Sequence, residues 1–561
     1  MTPSPIELQV MWQRLIAVVE EQAQALIRTA FSPIVRECGD LSAGVFDLRG
    51  RMLAQAVTGT PGHVNSMAES VPHFLREFLA ETMAPGDVFI TNDPWRGTGH
   101  LNDFVVTTPC FHEGRLVALF SCTSHLMDIG GIGFGPDATD LFMEGLQIPF
   151  VRLARGGEVD PTLMALIRAN TRLPVDTEGD VYALAACNDV GCRRLVAMMA
   201  EFGLSDLDAL GAHILDRSRE AVAREVAALA KGTWRSEMTV DGYDAPVTLA
   251  ATVTVGDGIH VDYEGTSAAV DRGINVPLSY TTAYTVFGLA CAVGADIPNN
   301  AGSLAPLTVS APEGCILNAA RPRPVAARHV IGQMLPDVVF GALRQAIPDR
   351  VPAEGTSCLW NITVRGEGFA TTITSNGGTG ARPMLDGLSA TAYPSGVRGT
   401  PVEIAEAVTP LVFRRKELRP GSGGEGRTRG GLGQVIEIES RTGEPFELLA
   451  AFDRIDHPAR GHDGGGDGAP GSVRLASGAR VPGKGLRRVP PGDRLVIETP
   501  GGGGIGPASE RPRERVEADA ALGLTARPSR PWGGRRPPPP ALPLTSADPH
   551  PQTPSEQGDT P

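Results

Sequence analysis

The sequence predicts an α+β fold of mixed helices and largely antiparallel sheets, in more than one domain, with a disordered Pro-rich C-terminal tail. Three observations carry that prediction. Apolar residues recur at helical spacing from Ile6 onward and again over residues 204–232. Paired β-rich runs flank short glycine-bearing turns at residues 48–50, 112–114 and 256–258, the pattern of hairpins. From residue 526 the composition collapses into proline, serine and polar residues, too poor in apolar side chains to offset the entropy of ordering them.

In chain order, residues 6–30 read as an amphipathic helix. They have no basic leader and no uninterrupted apolar stretch, which argues against a signal peptide or membrane anchor. Residues 42–57 read as a hairpin about Leu48-Arg49-Gly50. Residues 67–82 read as a helix that tolerates Pro72 only near its first turn. A second hairpin follows, in which FVVTTPCF leads into His112-Glu113-Gly114 and RLVALFSCTS returns from Arg115. Residues 204–232 read as a long helix, with acidic residues in the first turn and Lys231-Gly232 at its end. That end predicts a boundary between an N-terminal α+β region, 1–231, and a β-rich α+β region, 232–525. The second region opens on a hairpin about Gly256-Asp257-Gly258. It has two stretches of helical length, 279–293 and 330–347, and returns to strand-like, glycine-punctuated sequence through about residue 500. Residues 526–561 are the predicted disordered tail.

The chain has 561 residues, 42% of them hydrophobic and 20% charged, with a formal net charge of -14. An acidic balance repels phosphate backbones and anionic lipid, so neither nucleic acid nor a membrane surface is an expected partner. The eight cysteines are scattered through a large chain, which fits a reduced cytoplasm, and the spacing of Cys187 and Cys192 is a poor match to a zinc ribbon. The glycine runs at 376–380 and 500–506 lack the lysine of a GxxxxGK[ST] loop and suit tight turns or close backbone packing. No GxSxG elbow presents a serine nucleophile.

The chemistry concentrates in Asn92-Asp93-Pro94-Trp95 through Gly99-His100-Leu101-Asn102-Asp103, and in Ser124-His125-Leu126-Met127-Asp128 after the second hairpin. Each half contains His-x-x-Asp. A turn near Glu113 places Asp103 about as far before the turn as Ser124 lies after it, so both units meet at the open end of the hairpin. Two imidazoles and up to two carboxylates converging there suit a divalent ion such as Zn²⁺ or Mn²⁺. Asp40, just ahead of the first hairpin, supplies another oxygen if the two hairpins pack side by side; otherwise it is an ordinary turn aspartate. His63, in a turn-rich loop before a helix, faces a substrate or packs against the helix start. Asp128 is a candidate base or an orienting partner for a ligand histidine. The Arg328-His329 pair before a helix is structural, or binds a carboxylate.

These residues resemble a known family, the hydantoinase B/oxoprolinase family, which includes the B-type subunits of N-methylhydantoinase and related chains of 5-oxoprolinase and acetone carboxylase. The resemblance runs over nearly all of residues 1–520. It is carried by residues 37–42 with the following FDLRGR, by NDPW and GHLND, by SHLMDIGG, by Tyr263-Glu264-Gly265-Thr266-Ser267, by residues 296–302 and by ETPGGGGIG. The resemblance implies one subunit of an ATP-dependent hetero-oligomer, in which an A-type partner binds ATP and Mg²⁺ and phosphorylates a small-molecule substrate. It also implies a divalent metal on residues matching His100, Asp103 and His125, with Asp40 as an addition. The leading expectation is hydrolysis of a cyclic amide such as a hydantoin or 5-oxoproline. The alternatives are an ATP-dependent ketone carboxylase subunit and a scaffold without catalysis of its own.

Overall fold

A computed structural model describes residues 4–57 and 59–525, so the tail expected to be disordered lies outside the described residues. Up to residue 231 the helices are α1 (Pro5–Thr29), α2 (Pro33–Arg36), α3 (Pro61–Glu77), α4 (Pro161–Asn170), α5 (Pro174–Phe202) and α6 (Asp208–Ala227). The strands are β1 (Leu41–Phe46), β2 (Met52–Gln55), β3 (Val88–Thr91), β4 (Asp103–His112), β5 (Arg115–His125), β6 (Val151–Arg155) and β7 (Glu158–Val159). They form one antiparallel sheet in the order β2-β1-β5-β4-β3-β6-β7. Successive residues of a strand face opposite sides. Leu119 and Val105 accordingly pack with Val64, Met67, Val71 and Phe74 of α3, whereas Phe120 and Ala118 pack with Leu15 and Val19 of α1 and Leu195 of α5. The sheet thus has α3 on one face and α1 with α5 on the other.

Both predicted hairpins of this sheet form, and β1 pairs with β5, which brings them side by side. The pairing of β4 with β5 contains a bulge: Phe111 pairs with Leu116 but Cys110 with Ala118, leaving Val117 as the extra residue. This one-residue slip puts Asp103 opposite His125 instead of Ser124. Because a slip of one reverses the face of every later residue, the bulge is what turns His125 to the same side as Asp103. The side is that of α3, since both share parity with Leu119 and Val105.

Three helices differ from expectation. Thr60 and Pro61 start α3 six residues before the expected Met67, with proline at the first helical position where its missing N–H costs nothing, and Pro72 stands inside the helix. His63 therefore sits in the first turn of α3, not in a loop before it. The helix expected over 204–232 is confined to Asp208–Ala227, and Lys231 pairs instead with Asp257 across a turn. The stretch 330–347 is two helices, His329–Gly332 and Leu335–Leu343, broken ahead of Pro336.

Beyond residue 231, β8 (Gly232–Val240), β9 (Val247–Val255), β10 (Ile259–Asp262) and β11 (Leu307–Ser310) form a sheet in the order β11-β10-β9-β8, in which β10 and β11 run parallel. Helix α7 (Leu278–Val293) packs beside it, followed by α8 (Ala301–Leu304), α9 (His329–Gly332) and α10 (Leu335–Leu343). Two further four-stranded sheets complete the region. One is built on β12 (Trp360–Gly366) and β13 (Phe369–Ser375); the other includes Gln434–Ser440 and Arg494–Glu498. Between them the glycine runs interlock by backbone hydrogen bonds: Gly378 N donates to Pro500 O at 3.0 Å, Gly431 N to Thr379 O at 2.8 Å and Gly502 N to Gly431 O at 3.0 Å. All eight cysteines are unpaired, and among the described residues no helix is long and apolar enough to cross a membrane.

Candidate metal centre

Three adjacent strand ends and one helix start build the site. Asp40 precedes β1, and its carbonyl accepts from His125 N at 3.2 Å; His125 ends β5 and Asp103 begins β4. His100 hangs from the loop before β4, a loop fixed by Asn92, whose side chain bonds Leu101 O and Leu146 O, each at 2.8 Å, and Ile148 N at 2.6 Å. His63 descends on this group from the first turn of α3. All five side chains are buried.

Asp103 is the hub. Its Oδ1 lies 2.6 Å from His100 Nε2 and 3.3 Å from His125 Nδ1, and its Oδ2 lies 3.0 Å from His63 Nε2 and 2.6 Å from Arg328 Nη2. Burial works to raise the Asp103 carboxyl, but His100, His63 and Arg328 around it outweigh that and hold the group well below its usual range. One ligand atom from each of His100, Asp103 and His125 falls within a cluster 4.8 Å across. Asp40 stands one step outside it, 3.4 Å from His63 Nδ1 and 3.4 Å from Thr60 Oγ1. Burial disfavours a charge on His63, yet Asp103 and Asp40 on its two sides prevail and raise its pKa.

The protons at His100 decide what the cluster suits. Its Nδ1 lies 2.9 Å from Ala326 O, and a carbonyl only accepts, so Nδ1 carries the proton. Burial, with Arg328 second, pushes His100 down to about 3, so the ring is neutral and Nε2 presents a lone pair to the Asp103 carboxylate. Two lone pairs facing at 2.6 Å repel unless something positive is shared between them. His125 Nε2 is buried and without a partner among the described residues. A donor set of two imidazoles and a carboxylate, with repelling lone pairs and an orphaned nitrogen, fits a divalent cation.

Further positions complete the site. Arg328 donates to Thr98 O at 2.7 Å as well as to Asp103, and its guanidinium lies 3.9 Å over the Tyr280 ring. Gly99 lets it pass, since a Cβ there would lie 2.7 Å from Arg328 Cδ. Glu144 Oε1 accepts from Val325 N at 2.6 Å and Ala326 N at 2.7 Å, fixing the peptide that orients His100. Phe134, His329 and Asn361 line a small cavity of about 20 Å³, room for roughly one water. The Arg328-His329 pair carries the only advance signal, a possible carboxylate contact; the rest lie in segments with no motif. Asp128 is placed elsewhere. It accepts from Gly130 N at 3.1 Å, Leu173 N at 3.1 Å and Arg172 Nη1 at 2.9 Å, beside the start of α5, and no hydrogen bond among the described residues joins it to His100 or His125.

The sequence model of the hydantoinase B/oxoprolinase family matches residues 4–508. A chain named as the B component of a D-/L-hydantoinase from Pseudomonas sp. is 29% identical, over 92% of this chain and 92% of its own length. The 5-oxoprolinase 1 of Arabidopsis thaliana is 30% identical over 89% of this chain, which spans only 42% of that protein. The crystal structure of the ATP-dependent caprolactamase from Pseudomonas jessenii superposes with a TM-score of 0.86 at 26% identity, covering 94% of this chain and 95% of the other.

Proposed function

The chain belongs to the hydantoinase B/oxoprolinase family, and on that premise we propose that it is the B-type subunit of an ATP-dependent cyclic-amide hydrolase. It acts on a ring of the hydantoin or 5-oxoproline type after an A-type partner subunit has phosphorylated it. The observation that carries this reading is the 2.6 Å approach of His100 Nε2 to Asp103 Oδ1, two acceptors facing each other in a buried site. His100, Asp103 and His125 would hold a Zn²⁺ or Mn²⁺ ion, with Asp40 acting through His63. A divalent ion held there supplies a Lewis acid for a substrate carbonyl or a water. The chain's own residues do the rest. Arg328 and the Ala326 carbonyl fix Asp103 and His100, His63 keeps a proton between two carboxylates, and Phe134 and Tyr280 narrow the cavity and exclude bulk water.

ATP and Mg²⁺ enter with the partner in this reading, because this chain has no phosphate-cradling GxxxxGK[ST] loop. A relative named as the B component of a hydantoinase and a structural neighbour named as ATP-dependent support the arrangement. The test pairs the full chain with an A-type subunit and assays ATP-dependent opening of hydantoin and 5-oxoproline, with and without bicarbonate, alongside elemental analysis of wild type and His100→Ala. Stoichiometric divalent metal in wild type, its loss in the variant and bicarbonate-independent ring opening are expected. Strict dependence on bicarbonate would replace the reading with carboxylation. Full activity of a metal-free His100→Ala, His125→Ala double variant would leave only a scaffold.

A further inference from the structure

The cavity beside the metal centre is too small for what the proposed chemistry must bring there. At about 20 Å³ it holds roughly one water, whereas sites for small organic ligands run to about 300–1,000 Å³. Part of the lining must therefore move before an activated ring can reach the triad. Most of that lining is pegged. His125 ends β5, Tyr280 and Tyr284 stand on α7, Asn361 lies on β12, and Arg328 is held by Thr98 and Asp103. Gln333, just after α9, accepts from Leu359 N at 2.7 Å. Asp40 is tied through both its backbone groups, its N donating to Ile34 O at 3.1 Å and its O accepting from His125 N at 3.2 Å.

Phe134 is the exception. It lies in no helix or strand, between Gly133 and Gly135, and these three residues take part in no hydrogen bond among the described residues. The chain is anchored on either side of them. Ile132 N donates to Met143 O at 3.0 Å and Ile132 O accepts from Arg365 Nη1 at 3.1 Å, while Pro136 O accepts from Gly273 N at 2.8 Å. A short span between fixed ends, with glycine on each side of one bulky ring, has the build of a hinge. What holds the ring is contact alone: it stands edge-on to His125 at 4.8 Å and to His100 at 5.9 Å, and it stacks on His329 at 5.7 Å between centroids. It also borders the surface. Phe134 keeps 7% exposure, a share that only Asp40 equals among the lining residues, and Gly131, Ile132 and Gly133 beside it are exposed or half-buried.

We propose that Phe134 is the gate of this site: its ring swings outward on Gly133 and Gly135, uncovers His100 and His125, and closes again to exclude bulk water. The proposal rests on the hydrolase reading above and names how that site is entered. The movement breaks ring contacts and no hydrogen bond of the hinge, so Phe134 yields before the pegged parts of the lining. The space the ring vacates lies directly against both imidazoles, which is where an activated substrate has to face the triad. A metal ion and a substrate share this one entrance. Exchange of the ion therefore reports on the gate without substrate or partner.

The test follows Zn²⁺ in the full chain, measuring uptake by chelator-treated protein, release to excess chelator, and affinity at equilibrium. Phe134→Ala removes the ring. Gly135→Ala stiffens the hinge, at a position where the added Cβ would lie 3.2 Å from Leu449 Cβ. A gate changes rates and leaves the equilibrium alone. Phe134→Ala is expected to speed uptake and release alike by about tenfold or more, with the dissociation constant within about threefold of wild type, and Gly135→Ala to slow both. The two variants act in opposite directions, so one that folds, verified by its melting curve, is sufficient. Faster release with unchanged uptake and weaker affinity makes Phe134 a packing residue and overturns the gate; unchanged rates in both directions place the entrance elsewhere and overturn it too. A wild type that takes up no Zn²⁺ overturns the metal centre, and the gate with it. The expected rates in a chain that opens no cyclic amide with its partner support the gate and overturn the hydrolase reading alone.

Discussion

Asp103 is completely buried among three imidazoles and a guanidinium, so removing one partner matters more than the strength of any single contact. Arg328→Ala takes away the one partner that is always cationic, and breaking a buried pair leaves an uncompensated charge at a cost of about 3–5 kcal/mol. Urea denaturation of chelator-treated protein is expected to show a loss of that size, partly restored on adding Zn²⁺ or Mn²⁺. Glu144 gives a different signature. Burial pushes its carboxyl up from 4.5 to about 8, against the two backbone N–H groups that it accepts from. Between those values the folded chain holds a proton that the unfolded chain has released. The contribution is therefore full below about pH 4.5 and is lost as pH rises through about 8. Glu144→Gln keeps the two acceptor contacts and cannot ionise. It is expected to match wild type near about pH 4 and to exceed it by on the order of 5 kcal/mol near about pH 9, as read by denaturation midpoints at the two pH values.

Hairpins were legible because their turns are local: Leu48-Arg49-Gly50 and His112-Glu113-Gly114 announce themselves within a few residues. The bulge at Val117 was not, since nothing in RLVALFSCTS marks which residue is extra, yet it decides that His125 faces Asp103. Helix α5 went unassigned because Gly179 and Gly191 interrupt its pattern. Their reason is tertiary: a Cβ at Gly179 would lie 2.4 Å from the Phe31 ring, and one at Gly191 2.5 Å from the ring of Phe120 on β5. Two effects of known size compete in Gly191→Ala. The helix gains about 1 kcal/mol in propensity, but pressing a methyl into a packed ring costs about 1–3 kcal/mol. The net expectation is a loss of up to about 2 kcal/mol in thermal or urea unfolding. A stabilised variant would show that Phe120, and with it the strand that carries His125, yields freely.

At the scale of the whole chain, the triad comes from residues 100–125, but two of the groups that fix it come from far along the sequence: Ala326 and Arg328. No spacing rule joins segments more than two hundred residues apart, which is why the convergence of His100, Asp103 and His125 was legible and its supports largely were not. What holds the segments of the C-terminal region together includes the interlocked glycine runs, where backbone meets backbone. A Cβ on Gly502 would lie 1.9 Å from Thr379 O and 2.3 Å from its carbonyl carbon, atoms with no rotamer by which to move aside. Gly256 lies in a hairpin turn with nothing within 4 Å of the same position. Gly502→Ala is therefore expected to cost at least about 4 kcal/mol, and Gly256→Ala no more than about 0.5 kcal/mol. Against a total stability of roughly 5–15 kcal/mol, the first change should sharply lower soluble yield and melting temperature while the second leaves both near wild type. If Gly502→Ala instead melts like Gly256→Ala, the runs are not close-packed backbone.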